Sequence, residues 1–141
     1  MVANRKNLIL DTSVILKWIF KEDNYESARK IGNRLIDRKI TITVPSHFFA
    51  EIANVLGRKE GEKAMEFISA LRMSTIRERF LSLSVINLAL ELMRKYKKIT
   101  FYDAAYHAIA ILENGTFVTA DEDYYKITNK EGRITLLKDY A

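Results

Sequence analysis

The sequence contains no cysteine, one proline, five glycines and two histidines in 141 residues. Without cysteine there is no disulfide, no thiolate nucleophile and no cysteine-based zinc site, and His47 and His107 are too few for a histidine-rich one. Any metal held by this chain would be held by oxygen. There is no Gly/Ser/Pro-rich or low-complexity stretch, which argues against linkers and disorder. No apolar run approaches the roughly 20 residues of a membrane span, and the opening MVANRKN leads into a strand, not into the long apolar stretch of a secretory signal. A soluble cytoplasmic protein without a membrane partner is expected.

What is there suits a globular chain. Hydrophobic residues make up 48% and charged residues 29%, a mixture that supports one core, so residues 1–141 are read as a single domain. The formal net charge of +5, from 23 Lys and Arg against 18 Asp and Glu, suits a polyanionic partner. The basic residues come in pairs, Arg29-Lys30, Arg38-Lys39, Arg58-Lys59, Arg94-Lys95 and Lys97-Lys98. Each pair alone fits a solvated helix face; together they point toward nucleic acid.

Hydrophobic periodicity gives the elements. Asn7 to Leu10 is a short buried strand ending at the polar cluster DTS. Val14, Ile15, Trp18 and Ile19 then fall at helical spacing, and a second amphipathic helix runs from about Tyr25 to Arg38. TITVP, residues 41–45, is a strand, after which Ser46 is placed to cap a helix through about Leu56, closed by Gly57. Further helices are expected at about Glu60 to Leu71, Ser84 to Tyr96 and Phe101 to Leu112, the last opened by Thr100 and stopped by Asn114-Gly115. TFVT at 116–119 is a strand, Asp121 to Ile127 a short helix, and ITLL at 134–137 a last strand. Short apolar strands alternating with helices imply a three-layer α/β/α sandwich with a small, mainly parallel sheet. In such sheets, sites lie outside the carboxyl ends of the strands.

Four acids stand where such a site would form. Asp11 and Asp121 follow strands, and would share an edge if those strands are neighbours. Asp103 and Glu51 lie on helices that are otherwise largely apolar. Capping is the competing account for three of them: Thr100 and Asp103 fit the pattern [ST]-x-x-[DE], and Asp11 and Asp121 each precede a helix. Glu51 sits too deep in its helix to cap it and otherwise reads as an edge charge reaching water. Four converging carboxylates repel, by about 4 kcal/mol for a pair ~4 Å apart at an effective dielectric of ~20. A hard divalent cation such as Mg²⁺ or Mn²⁺ would offset this, and a capping carboxylate keeps a free oxygen for it.

In order and spacing, LDTSVILKW, PSHFFAEIANVL, TFYDAAYHAIA and FVTADEDYYK resemble a PIN domain, closest to the VapC-like toxins of toxin-antitoxin pairs, over essentially the whole chain. The resemblance implies that Asp11, Glu51, Asp103 and Asp121 are the catalytic, metal-binding acids. It adds Ser13, Thr119 and Asp123 as supporting residues around a bound Mg²⁺ or Mn²⁺. It further implies an endoribonuclease that hydrolyses a phosphodiester of its RNA substrate with a metal-activated water, leaving a 5′-phosphate and a 3′-hydroxyl. The implied protein partners are a cognate antitoxin and a second copy in a homodimer. Trp18 and Phe20, on the exposed part of SVILKWIF, are expected to join the antitoxin contact.

His107, one helical turn after Asp103, reads as a partly buried histidine satisfied by a neighbour and is left outside the site. Tyr102, Tyr106, Tyr124 and Tyr125 read as packing before base stacking. A haloacid dehalogenase-like phosphotransferase needs a second acid where Ser13 stands, and a receiver domain needs an acidic pair and a strand-end lysine with no counterpart here. The remaining alternative is a catalytically silent RNA-binding or protein-interaction domain of the same fold.

Overall fold

The structure, a computed structural model, describes residues 5–140. Within them the chain runs β1 (Lys6–Leu10), α1 (Thr12–Leu16), α2 (Tyr25–Ile36), β2 (Ile40–Pro45), α3 (Phe48–Lys59), α4 (Gly61–Met73), β3 (Arg77–Arg79), α5 (Leu83–Lys95), α6 (Phe101–Leu112), β4 (Thr116–Thr119), α7 (Glu122–Thr128) and β5 (Ile134–Leu136). The strands form one sheet in the order β3-β2-β1-β4-β5, and every neighbouring pair is parallel. The expected three-layer α/β/α architecture follows from the side chains of the strands. Leu8, Leu10, Ile42, Val44 and Val118 pack with α1 to α4, while Ile9 and Phe117 pack with α5, α6 and Tyr124 of α7. No helix among the described residues is long and apolar enough to cross a membrane.

Strand order sets the place of the site. The chain leaves β1 toward β2 and β3, then returns to β1's other side with β4 and β5. The order therefore reverses between β1 and β4, and the connections after these strands part to opposite faces, opening a crevice at their carboxyl ends. Asp11 and Asp121 follow β1 and β4. Helix α6 is buried nearly all round, from Ala104 to Ala110, because its alanines let it lie close between α5 and the sheet.

Several local expectations are corrected. The first helix ends at Leu16, and residues 17–19 form a turn. Trp18 is half-buried: its Nε1 donates to Ala28 O at 2.8 Å and its ring lies against Gly32, where an added Cβ would stand 3.3 Å from it. Ser46 does not cap α3. Its hydroxyl instead donates to Arg79 O at 3.1 Å, the N-cap position falls to His47, and the helix runs past Gly57 to Lys59. Helix α5 starts at Leu83 because Ser82 accepts from Val85 N–H. Strand β3 was not expected at all: Arg-Glu-Arg carries no apolar alternation, and pairing with β2 alone makes it a strand.

Candidate active site at the carboxyl edge of the sheet

Asp11 is buried, with 8% of its surface exposed. It caps α1 by accepting from Val14 N–H at 3.1 Å, and accepts Ser13 Oγ on Oδ1 and Thr119 Oγ1 on Oδ2, each at 2.5 Å. Burial raises its pKa, and these three donors work against that rise. Thr119 also accepts from Asp121 N–H at 3.0 Å, so one hydroxyl ties both strand ends together. Asp121 caps α7 through Tyr124 N–H, 3.0 Å from Oδ1. Capping and convergence therefore coexist in both residues.

Asp103 lies in the first turn of α6, its N–H bonded to Thr100 Oγ1 at 3.2 Å. Its pKa is raised to about 6, first by burial and then by the charges of Asp11 and Asp121, with a smaller contribution from Glu51. Glu51 falls in the first turn of α3, a position earlier than expected because that helix starts at Phe48. Its Oε1 accepts from Tyr106 OH at 2.8 Å and Thr12 Oγ1 at 3.1 Å.

Asp11, Glu51, Asp103 and Asp121 line one cleft of about 410 Å³ with Thr12, Ser13, Leu16, Val55, Tyr106 and Ala120. No lysine, arginine or histidine is among its lining residues. Four carboxylates with no lysine or arginine among them form a place that favours a cation: burial first, and then the charges of its neighbours, holds Asp103 near 6, while His47, whose Nε2 lies 3.8 Å from Glu51 Oε1, has its pKa lowered by burial. The donors are all hard oxygens, as Mg²⁺ and Mn²⁺ prefer. Among the described residues no three acidic or imidazole side chains stand close enough together to make a ready-formed metal cage. That spacing still fits Mg²⁺, which commonly takes one or two carboxylates and keeps several waters.

The PIN domain family model matches residues 8–130. The chain belongs to this family. No curated protein matches it in sequence. Among solved structures, this PIN domain is similar to VapC20 of Mycobacterium tuberculosis, described as a sarcin-ricin loop cleaving toxin: 20% identity over 86% of this chain and 95% of that one, TM-score 0.67. VapBC2 from Rickettsia felis, bound to a DNA fragment from its promoter, gives 20% identity, 92% and 98% coverage and a TM-score of 0.70. FitAcB from Neisseria gonorrhoeae gives 18%, 94% and 99%, and 0.69. At these identities the likeness is one of fold.

Of the supporting residues, Ser13 and Thr119 hold Asp11, whereas Asp123 is exposed in the first turn of α7 and does not line the cleft. His107 is buried outside it: Nε2 lies 2.8 Å from Gly132 O and Nδ1 2.9 Å from Tyr124 OH, and burial lowers its pKa. Tyr124 packs in the core beside it, while Tyr102 is exposed. Of the cleft residues, Thr12 was not singled out from sequence, and Tyr106 was read there as packing before base stacking. Tyr106 was legible only as a position three after Asp103, and so on the same helix face.

The basic pairs divide by topology. Arg38-Lys39 immediately precedes β2 and stands at the sheet edge opposite the cleft, while Lys97-Lys98 immediately precedes α6 and stands at Asp103's end. Arg58-Lys59 and Arg94-Lys95 occupy the last turns of α3 and α5, where positive charge complements the helix dipole.

Proposed function

We propose that this PIN domain is a metal-dependent endoribonuclease acting as the toxin of a toxin-antitoxin pair. The observation that carries the reading is the cleft at the β1/β4 reversal, which is lined by four carboxylates from both helical layers and by no lysine or arginine. One or two of Asp11, Glu51, Asp103 and Asp121 would hold Mg²⁺ or Mn²⁺ directly, and the others through its waters. When bound, such an ion lowers the pKa of water and neutralises charge on a phosphate, so neither a histidine base nor a protein nucleophile is required. Ser13 and Thr119 orient Asp11 and oppose the rise in its pKa that burial causes. Water adds across the phosphodiester, leaving a 5′-phosphate and a 3′-hydroxyl, and the Lys97-Lys98 pair supplies positive charge at the same end for the RNA backbone.

The reading includes a second copy of the chain and an antitoxin as partners. A groove of about 530 Å³ between the turn after α1 and helices α3 and α4, lined by Trp18, Ile19, Phe20, Leu56 and Phe67, supports an antitoxin segment docking there. Because Trp18 also bonds to Ala28 O, Phe20→Ala is the cleaner probe of that contact. A second reading, a domain of this fold that binds without cutting, draws on the acids not standing as a ready-formed cage.

The test is calorimetric titration of Mn²⁺ into the wild type, Asp11→Asn and Asp103→Asn, all shown to be folded, followed by incubation with total cellular RNA with and without EDTA. Binding lost in both variants, with cleavage ends that vanish in EDTA, is the expected outcome. Absence of both binding and cleavage in the wild type would favour the silent domain.

A further inference from the structure

Glu51 is an acid of the cleft whose carboxylate is held by side chains from two other helices. It projects from α3, on one face of the sheet, and its side chain is 38% exposed. Tyr106 comes from α6, on the other face, and is itself only 1% exposed. The Tyr106 ring stacks on Phe117, with centroids 5.7 Å apart and planes at 15°, and meets His47 edge-on at 5.2 Å. A ring packed in this way has one position for its hydroxyl, which lies 2.8 Å from Glu51 Oε1 and 3.4 Å from Thr12 Oγ1. Thr12, from α1, donates to the same Oε1 at 3.1 Å.

Both donors thus converge on one carboxylate oxygen. Among the described residues no donor reaches Oε2, so that oxygen is left to take a ligand. A phenol is neutral at ordinary pH and has one O–H to give, which here points at the Glu51 carboxylate. A glutamate has three rotatable side-chain bonds, and at this exposure it would otherwise spread over rotamers that reach water. We propose that Tyr106, assisted by Thr12, is a positioning residue that fixes which oxygen of Glu51 faces the cation and RNA phosphate. The proposal deepens the nuclease reading and rests on it for the identity of the ligand, though not for the placement of the carboxylate.

Tyr106→Phe removes the hydroxyl and keeps the stacked ring. Mn²⁺ affinity is measured in the wild type, Tyr106→Phe, Glu51→Gln and the double variant, each with its melting temperature. Loss of one hydrogen bond to a charged ligand group is expected to weaken Mn²⁺ binding about 3- to 10-fold when Glu51 is present, and to change nothing in the Glu51→Gln background. With a cleaved RNA, kcat falls while KM holds. Equal weakening in both backgrounds would mean that Tyr106 serves only the fold and would overturn the proposal.

A crystal structure of Tyr106→Phe gives the arm that does not depend on metal. Glu51 is expected to leave Thr12 or to split between rotamers. If it keeps its place, the proposal fails even where Mn²⁺ binds. If the wild type takes up no Mn²⁺ at all, it is the metal reading that fails, and the Glu51 position alone decides the role of Tyr106.

Discussion

The hydroxyl of Thr119, last residue of β4, donates to Asp11 Oδ2 at 2.5 Å, joining residues 108 apart in sequence. Thr119 is buried, so neither partner finds water as a substitute. Thr119→Val keeps the shape and removes the donor. Leaving a buried carboxylate short of one hydrogen bond is expected to cost about 1–3 kcal/mol at neutral pH, with Thr119→Ser recovering most of it. Urea unfolding of the three proteins checks this, and an unchanged midpoint for the valine variant would contradict it.

The metal-free protein should lose stability as pH rises from about 4 to 6. Asp103 has its folded pKa raised from 3.8 to about 6, so the folded state binds more protons than the unfolded state across that window. The stabilisation is full below the unfolded pKa and gone above the folded one. Because Asp103 is partly exposed, solvent reduces the effect to about 1 kcal/mol. Thermal melts against pH should show the decline, and Asp103→Asn should reduce it, leaving the share of Asp11, whose pKa burial also raises. Saturating Mn²⁺ should reverse the sign, since a cation favours the ionised form.

Strand β3, made extended by its pairing with β2, is also tied down by charge. Glu113, at the end of α6, accepts from Asn7 Nδ2 at 2.8 Å, from Arg79 at 2.7 Å and from Arg77, which also reaches Thr43 Oγ1 at 3.2 Å. Its side chain is 13% exposed. Glu113→Ala removes the acceptor of the part-buried Arg79 guanidinium and Asn7 amide, while the exposed Arg77 finds water, and is expected to cost about 1–2 kcal/mol. Hydrogen exchange at Arg77 to Arg79 should rise by more than that in β1.

Two glycines should respond with opposite signs. A Cβ at Gly115 would stand 2.6 Å from the backbone oxygen of Asn7 and 2.8 Å from Ile9 Cδ1, so Gly115→Ala forces β1 and β4 apart and is expected to cost about 1–3 kcal/mol. At Gly57, inside α3, nothing lies within 4 Å of an added Cβ. Gly57→Ala should therefore gain about 0.5–1 kcal/mol. Paired unfolding curves test both.

The elements legible in the sequence were those with internal periodicity. Helix α6 was bounded from its cap and its apolar run alone, and β1, β2 and β4 from short β-branched or aliphatic stretches. Strand β3 was invisible because its only reason to be extended is the edge of β2, and Ser46 was misassigned for the same cause: the acceptor its hydroxyl prefers, Arg79 O, belongs to that unseen strand. Asp11, Asp103, Glu51 and Asp121 stood out as charges in apolar settings. Tyr106 did not, since a tyrosine on a core helix looks like packing until the helix across the sheet is known. Thr12 likewise acquires a partner only through α3.

The strand order also dictates when during synthesis the cleft can exist. Asp11 and Glu51 emerge early, but β1 remains open on one side until β4 is made at residues 116–119, and Asp103 and Asp121 arrive with that last part of the chain. A chain interrupted before Thr116 lacks the hydroxyl that holds Asp11, the strand that closes β1 and the acid beyond it. Nascent and prematurely terminated products are thus without a complete cleft, which forms only once β4 and the acid after it have been made.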